Sequence, residues 1–175
     1  MGKRWLSLAL AAMMLVSCAL AEGVEATEEP TYEFVCEYFL AKLPQGMQVL
    51  SGDALEGLTA AAMADTGLNQ DVSLVTACDE TCARGLNIAV ITSEGDGNQT
   101  AQALADGWTQ LSGTIVSSVR TIELAAGTAA AFDVSLEGNM YTQAVLQGGE
   151  NCLIITCTGM DNEEVAAFLQ DITLF

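Results

Sequence analysis

Between Gly127 and Gly159 apolar and polar side chains alternate with a period of two. Ala130, Phe132, Val134 and Leu136 hold the even positions. Ala131, Asp133, Ser135 and Glu137 between them are small or polar, the pattern of a strand packed mainly through one face. Glu137-Gly138-Asn139 and Gly148-Gly149-Glu150-Asn151 supply turn residues, so the stretch reads as a three-stranded antiparallel meander. It returns through Met140 to Gln147 and leaves through Cys152 to Cys157. A three-residue loop at Glu137 to Asn139 would set Leu136 opposite Met140, Phe132 opposite Ala144 and Ala130 opposite Leu146, in one continuous apolar face. Pairing Leu146 with Leu153 sets Ala144 opposite Ile155 and leaves Val145 opposite Ile154 on the reverse face, which implies cover on both sides.

Upstream, Tyr32 to Leu43 carries apolar side chains on both parities, Phe34, Tyr38 and Leu40 against Val35, Phe39 and Leu43, and predicts a strand covered on both faces. Pro44-Gln45-Gly46 turns the chain into a short strand from Met47 to Leu50. A helix follows over 53–66, with Asp53 and Glu56 as a capping box and Gly67 as its stop. Val72 to Ala77 and Leu86 to Thr92 form a hairpin around Asp79-Glu80-Thr81. Ala101, Leu104, Trp108 and Leu111 recur at helical spacing over 98–112, and Ile115 to Leu124 returns to strand. The closing helix, 161–172, is capped by Asp161 with Glu164, and Val165, Phe168, Leu169 and Ile172 occupy i, i+3, i+4 and i+7. The sum is an α+β domain over 32–175, an antiparallel β-sheet with helices packed on both faces.

The first residues lie outside that domain. Lys3 and Arg4 precede an apolar run from Leu6 to Val16 and then small residues, the form of an export signal and too short to span a bilayer. Two processing signals overlap. Ala19-Leu20-Ala21 directs cleavage before Glu22, giving a leader over 1–21. Leu15-Val16-Ser17-Cys18 has the form of a bacterial lipobox, which gives a leader over 1–17 and a lipidated Cys18. Residues 22–31 then form an acidic tether. The localisation expected is extracellular or cell envelope, secreted or lipid-anchored, with membrane contact only through Cys18.

Loss of Lys3 and Arg4 leaves Lys42, Arg84 and Arg120 against 23 acids, a net charge of −20. A field of that sign repels nucleic acid and anionic head groups and disfavours both as partners. It argues for solubility and permits cationic partners or loosely held divalent cations, and the partner expected is an unknown protein or cell-envelope component, with no nucleic acid. The chain has no histidine, so His-based triads and His metal ligands are excluded, and no phosphate loop or dinucleotide fingerprint is present. Glu94, Asp96 and Asn98 around Gly95 and Gly97 offer at most a weak calcium site, since their spacing fails an EF-hand loop. No residue is assigned a catalytic, cofactor-binding or metal role, and no cofactor is expected.

Five cysteines remain beyond Cys18: Cys36, Cys78, Cys82, Cys152 and Cys157. In an exported chain they point to disulfides. Cys78 and Cys82 flank a three-residue turn and can bridge. Cys152 and Cys157 stand about 16 Å apart on opposite faces of one strand and cannot pair with each other. One of them would reach Cys36 if the first strand were their neighbour. The same opposed faces count against a four-thiolate zinc site built from Cys78, Cys82, Cys152 and Cys157.

The order of elements resembles the PsbP-like family of α/β/α sandwiches. The resemblance rests on Leu43-Pro44-Gln45-Gly46, where the family often shows Leu-Pro-x-Gly-Trp and this chain has Met47. It rests also on the Gly127 meander and on a closing helix with the apolar tail Ile172-Thr173-Leu174-Phe175. The family shares no catalytic apparatus, so the resemblance implies a scaffold or binding role and transfers no functional residue. The expectation is therefore an exported, non-enzymatic surface or secreted interaction module. An exported enzyme using acidic residues, or a weak divalent-cation binder, stands as the alternative.

Overall fold

The computed structural model describes residues 33–49, 74–81, 83–92, 95–136 and 138–175. The leader, the tether, Cys18, Cys82 and the helix expected over 53–66 fall outside these residues.

The first strands are β1 (Glu33–Val35), β2 (Phe39–Lys42), β3 (Met47–Val49), β4 (Leu74–Asp79) and β5 (Gly85–Thr92). Helix α1 (Gly97–Trp108) is followed by β6 (Thr114–Val116), β7 (Arg120–Leu124), β8 (Gly127–Leu136), β9 (Asn139–Gly148) and β10 (Asn151–Thr158). Helix α2 (Asn162–Gln170) and β11 (Ile172–Leu174) complete the chain. An eight-stranded sheet runs β3-β4-β5-β10-β9-β8-β6, with β7 also on β8, and a three-stranded sheet runs β1-β2-β11. All of the pairings are antiparallel. The domain is mostly antiparallel sheet, with two helices among the described residues.

Alternate residues of β8 enter different cores. Ala129 and Ala131 pack with Ala144, Leu146, Leu153 and Ile155, together with Val165, Phe168 and Leu169 of α2 and Phe39, Ala41 and Ile172 of the small sheet. Ala130, Phe132 and Val134 pack with Val145, Ile154 and the α1 residues Ala101, Leu104 and Trp108. The second core is pinned by a polar chain. The Trp108 indole Nε1 donates to Gln143 Oε1 at 2.8 Å, and Gln143 Nε2 donates to Thr156 Oγ1 at 3.0 Å. All three residues are fully buried, so each bond replaces water that is not there to compete.

The meander, the Leu146–Leu153 and Val145–Ile154 pairs and the capping box of α2 are as the sequence predicts. Four details differ. Leu136 pairs with Asn139, and Gly138 has φ +86°, so Ser135 faces Met140 and Phe132 faces Gln143. The expected register assumed one apolar face; with apolar partners for both parities of β8, the observed pairing leaves neither face unpacked.

Where one strand buried on both sides is expected, the residues from Glu33 to Lys42 form a hairpin of two short strands. Cys36 N–H donates to Phe39 C=O at 3.0 Å and closes a tight turn. Phe34, at an even position before the turn, and Phe39, at an odd one after it, thereby point the same way, with ring centroids 5.7 Å apart. Apolar residues on both parities recorded a reversal of direction. Ile115 to Leu124 divides into β6 and β7. The closing helix ends at Gln170, because Ile172 and Leu174 alternate with Thr173 and add β11 to β2 instead.

Candidate interaction surface

The division of β6 from β7 builds the most developed polar cluster outside the cores. Val116 pairs with Val134 and Arg120 with Ala131, so residues 117–119 stand opposite only Phe132 and Asp133. One extra residue in an edge strand is a β-bulge, and it reverses which face each later side chain takes. Ser117 anchors it: Ser117 N–H donates to Asp133 C=O at 2.9 Å, and Asp133 N–H donates to Ser117 Oγ at 2.8 Å. Were the pairing to run on one-to-one from Val116, Val119 would face Ala131. With the bulge, Val119 packs against the α1 core and Arg120 emerges on the Asp133 side.

There the Arg120 guanidinium engages Asp133 through both oxygens, Nη1 to Oδ2 at 2.6 Å and Nη2 to Oδ1 at 3.1 Å. Thr142 Oγ1 donates to Asp133 Oδ1 at 2.9 Å, and Arg120 Nη2 donates to Asn162 Oδ1 at 2.7 Å. The planar fork matches the carboxylate, and the third contact ties it to the first residue of α2. The other end of α2 is held by Gln170, whose Nε2 donates to Glu123 C=O at 3.1 Å while its Oε1 accepts from Ala125 N–H at 2.8 Å. Arg84 adds a second ion pair, 2.6 Å from Glu164, the carboxylate that also closes the capping box. Helix α2 is thus clipped to the rest of the domain by Arg84 and Arg120.

Beside the Arg120 cluster, on the same side of the sheet, lies an apolar rung. Ile115 of β6 and Met140 of β9 both face Ser135 of β8 across the strands. Ile115 is 72% exposed and Met140 58%. Two large apolar side chains thus flank a serine at the sheet's end, next to a saturated ion pair.

The residues singled out from sequence land elsewhere. Cys78 is buried in β4, next to a loop that Asp79 organises: its Oδ1 accepts from Thr81 N–H, Thr81 Oγ1 and Ala83 N–H at 3.0 to 3.1 Å. Its expected partner Cys82 and the candidate acyl site Cys18 lie outside the described residues. Cys152 and Cys157 enter opposite cores, and Cys152 Sγ donates to Gln147 Oε1 at 2.7 Å. Cys36 stands beside β1, in a different sheet from β10, so the condition for a bridge between them is not met. Cys36 and Cys157 are free thiols, and burial pushes the Cys157 thiol up to about 12. Asp96 serves as the N-cap of α1, its Oδ1 accepting from Gln99 N–H at 2.8 Å. Among the described residues no group of three or more Cys, Asp or Glu is placed to hold a metal ion.

Sequence reasoning missed Ile115, Arg120, Asp133 and Met140. The available signal was a change of parity, apolar at odd Ile115 and then at even Ile122 and Leu124, which marks an inserted residue.

No family description and no curated protein matches the chain. Among solved structures it is similar to cyanobacterial PsbP (CyanoP) from Synechocystis, at 8% identity and a TM-score of 0.48, over 78% of this chain and 86% of that one. It is similar also to LpqN, involved in cell envelope biogenesis of Mycobacterium tuberculosis, at 13% identity and a TM-score of 0.39, over 78% and 82% of the respective chains. The first of these is a PsbP, the family whose order of elements this chain resembles.

Proposed function

We propose that the chain is an exported, non-enzymatic interaction module that binds a protein partner through the Ile115–Ser135–Met140 rung. The exposure of Ile115 and Met140 on one rung carries the reading. The net charge of −20 after loss of the leader favours a partner whose rim is cationic. In this reading the domain is an α/β/α sandwich, α1 covering one face of the large sheet and α2 with the small sheet covering most of the other. The uncovered end of that second face, at β6, remains for recognition.

Export proceeds through the leader, with either Cys18 acylated or cleavage before Glu22, and Cys78 bridges Cys82 in the oxidising compartment. Intact mass of the natively exported protein, with and without alkylation, reads both points. An acylated N-terminus identifies the anchored form, and a chain whose Cys78 and Cys82 both alkylate without reduction overturns the bridge.

The interaction itself is tested with a photo-crosslinking residue at position 115 in cells, compared with one at exposed Thr173. A discrete, salt-sensitive adduct at 115 that vanishes with Met140→Asp, at unchanged melting temperature, is expected. Equal adducts at both positions, or turnover of a hydrolase substrate by the purified protein that a carboxylate substitution removes, would overturn the proposal.

A further inference from the structure

The three-stranded sheet has two unlike faces. Phe34, Phe39, Ala41, Ile172 and Leu174 turn inward to the α2 core. Alternation sends Val35, Leu40, Lys42 and Thr173 outward, where Val35 pairs with Leu40 and Leu40 with Thr173. Phe175 extends this row, its N–H donating to Tyr38 C=O at 3.0 Å. Val35 is 60% exposed and Phe175 68%, so an aliphatic and an aromatic side chain stand in water on one small face. Lys42 is exposed at its border, opposite Glu33, whereas the other two cations of the mature chain are engaged with Glu164 and Asp133.

This face belongs to the sheet that the N-terminal segment enters. Fourteen residues lie between Cys18 and Glu33 at the start of β1, a span of fifteen chain steps. A coil of that length has an end-to-end distance of about 20 Å and reaches at most ~50 Å when extended. A domain of this size is roughly 35–40 Å across. An acyl chain on Cys18 would therefore hold the β1 side nearest the bilayer and supply it at an effective concentration in the millimolar range, enough to make a weak apolar contact count.

We infer that the outer face of the β1-β2-β11 sheet, through Val35, Leu40 and Phe175, rests on the head-group region of a zwitterionic bilayer when Cys18 is acylated. The inference rests on the anchored form of the export reading. Phe175 and Val35 enter the interface, and Lys42 lies at lipid phosphate depth. Glu33 and the strongly acidic remainder of the domain keep it off anionic lipid and keep the rest of the surface in water. Docked in this way, the domain presents its remaining surface outward in a fixed orientation.

The test uses the natively processed chain with Phe175→Trp, reconstituted in phosphatidylcholine vesicles with brominated acyl chains. Trp108 is fully buried and serves as the internal reference. Expected are a blue shift and quenching of the added emission, lost with Val35→Glu at unchanged melting temperature, and no quenching of an Ile115→Trp reporter. An acylated protein whose Trp at 175 is unquenched, or quenched no more than one at 115, overturns the docking and leaves the anchor intact. A mature chain whose mass shows cleavage before Glu22 overturns the anchor, and the docking with it.

Discussion

Arg120 and Asp133 form a two-oxygen ion pair because the edge strand holds one residue more than its partner. Three residues, 117–119, oppose two, and the reversal of parity brings the guanidinium to the carboxylate's side of the sheet. Each side chain is about a third exposed, so water screens the pair in part.

Arg120→Ala is expected to destabilise the domain by about 1–2 kcal/mol, the upper end for a partly exposed pair because both oxygens are engaged. Deleting Ser118 leaves Ser117 and Val119 opposite Asp133 and Phe132, so the pairing becomes regular, every charge is kept and Arg120 stays opposite Ala131 on the Asp133 side. It is expected to cost less than Arg120→Ala. Urea midpoints of the two variants check the order. If the deletion is the harsher change, the ion pair is not what the bulge contributes.

Gln143 has no access to water and serves both Trp108 and Thr156. Gln143→Leu orphans a buried indole N–H and a buried hydroxyl, for an expected loss of about 2–4 kcal/mol. Trp108→Phe combined with Gln143→Leu should cost less than the sum of the single changes, since the orphaned N–H is then absent. A double-mutant cycle by denaturation measures the coupling.

Two glycines of similar backbone conformation make a controlled pair. A Cβ on Gly159, at φ +65°, would lie 2.1 Å from the Ala83 carbonyl oxygen, whereas one on Gly149, at φ +61°, would meet nothing within 4 Å. Gly149→Ala therefore carries the left-handed backbone cost alone, about 1 kcal/mol. Gly159→Ala adds a backbone clash and is expected to exceed about 3 kcal/mol or to prevent folding. Comparing melting temperatures and soluble yields checks the contrast.

The Cys157 thiol is raised from 9.0 to about 12 by burial. Its unfolded form loses the proton first as pH rises, so the stability it contributes is complete below pH 9 and is lost from there toward pH 12. By pH 10 the loss amounts to about 1.4 kcal/mol. Cys157→Ala should flatten the stability profile in that window, and native Cys157 should alkylate far more slowly than half-buried Cys36.

Much of the fold is legible in local pattern. Period-two alternation marks β8, Leu146 and Leu153 fix the β9–β10 register, and Asp161 with Glu164 starts α2 where the sequence places it. The opposed faces of Cys152 and Cys157 follow from a spacing of five on one strand. Local pattern is sufficient there because each feature depends on residues within a turn or one hairpin of each other.

The candidate surface was illegible for a different reason. A sequence records which side chains are apolar, whereas their direction depends on every reversal of the chain before them. The turn at 36–38 makes Phe34 and Phe39 face the same core, and the bulge at 117–119 turns Arg120 toward Asp133. The pairing of Leu136 with Asn139 puts Met140 beside Ser135. The sequence by itself determined the meander strands, the α2 cap, the charge and the cysteine spacing. Only the tertiary structure decided the faces, because a shift of one residue in pairing moves every later side chain across the sheet, and long-range packing selects among such shifts.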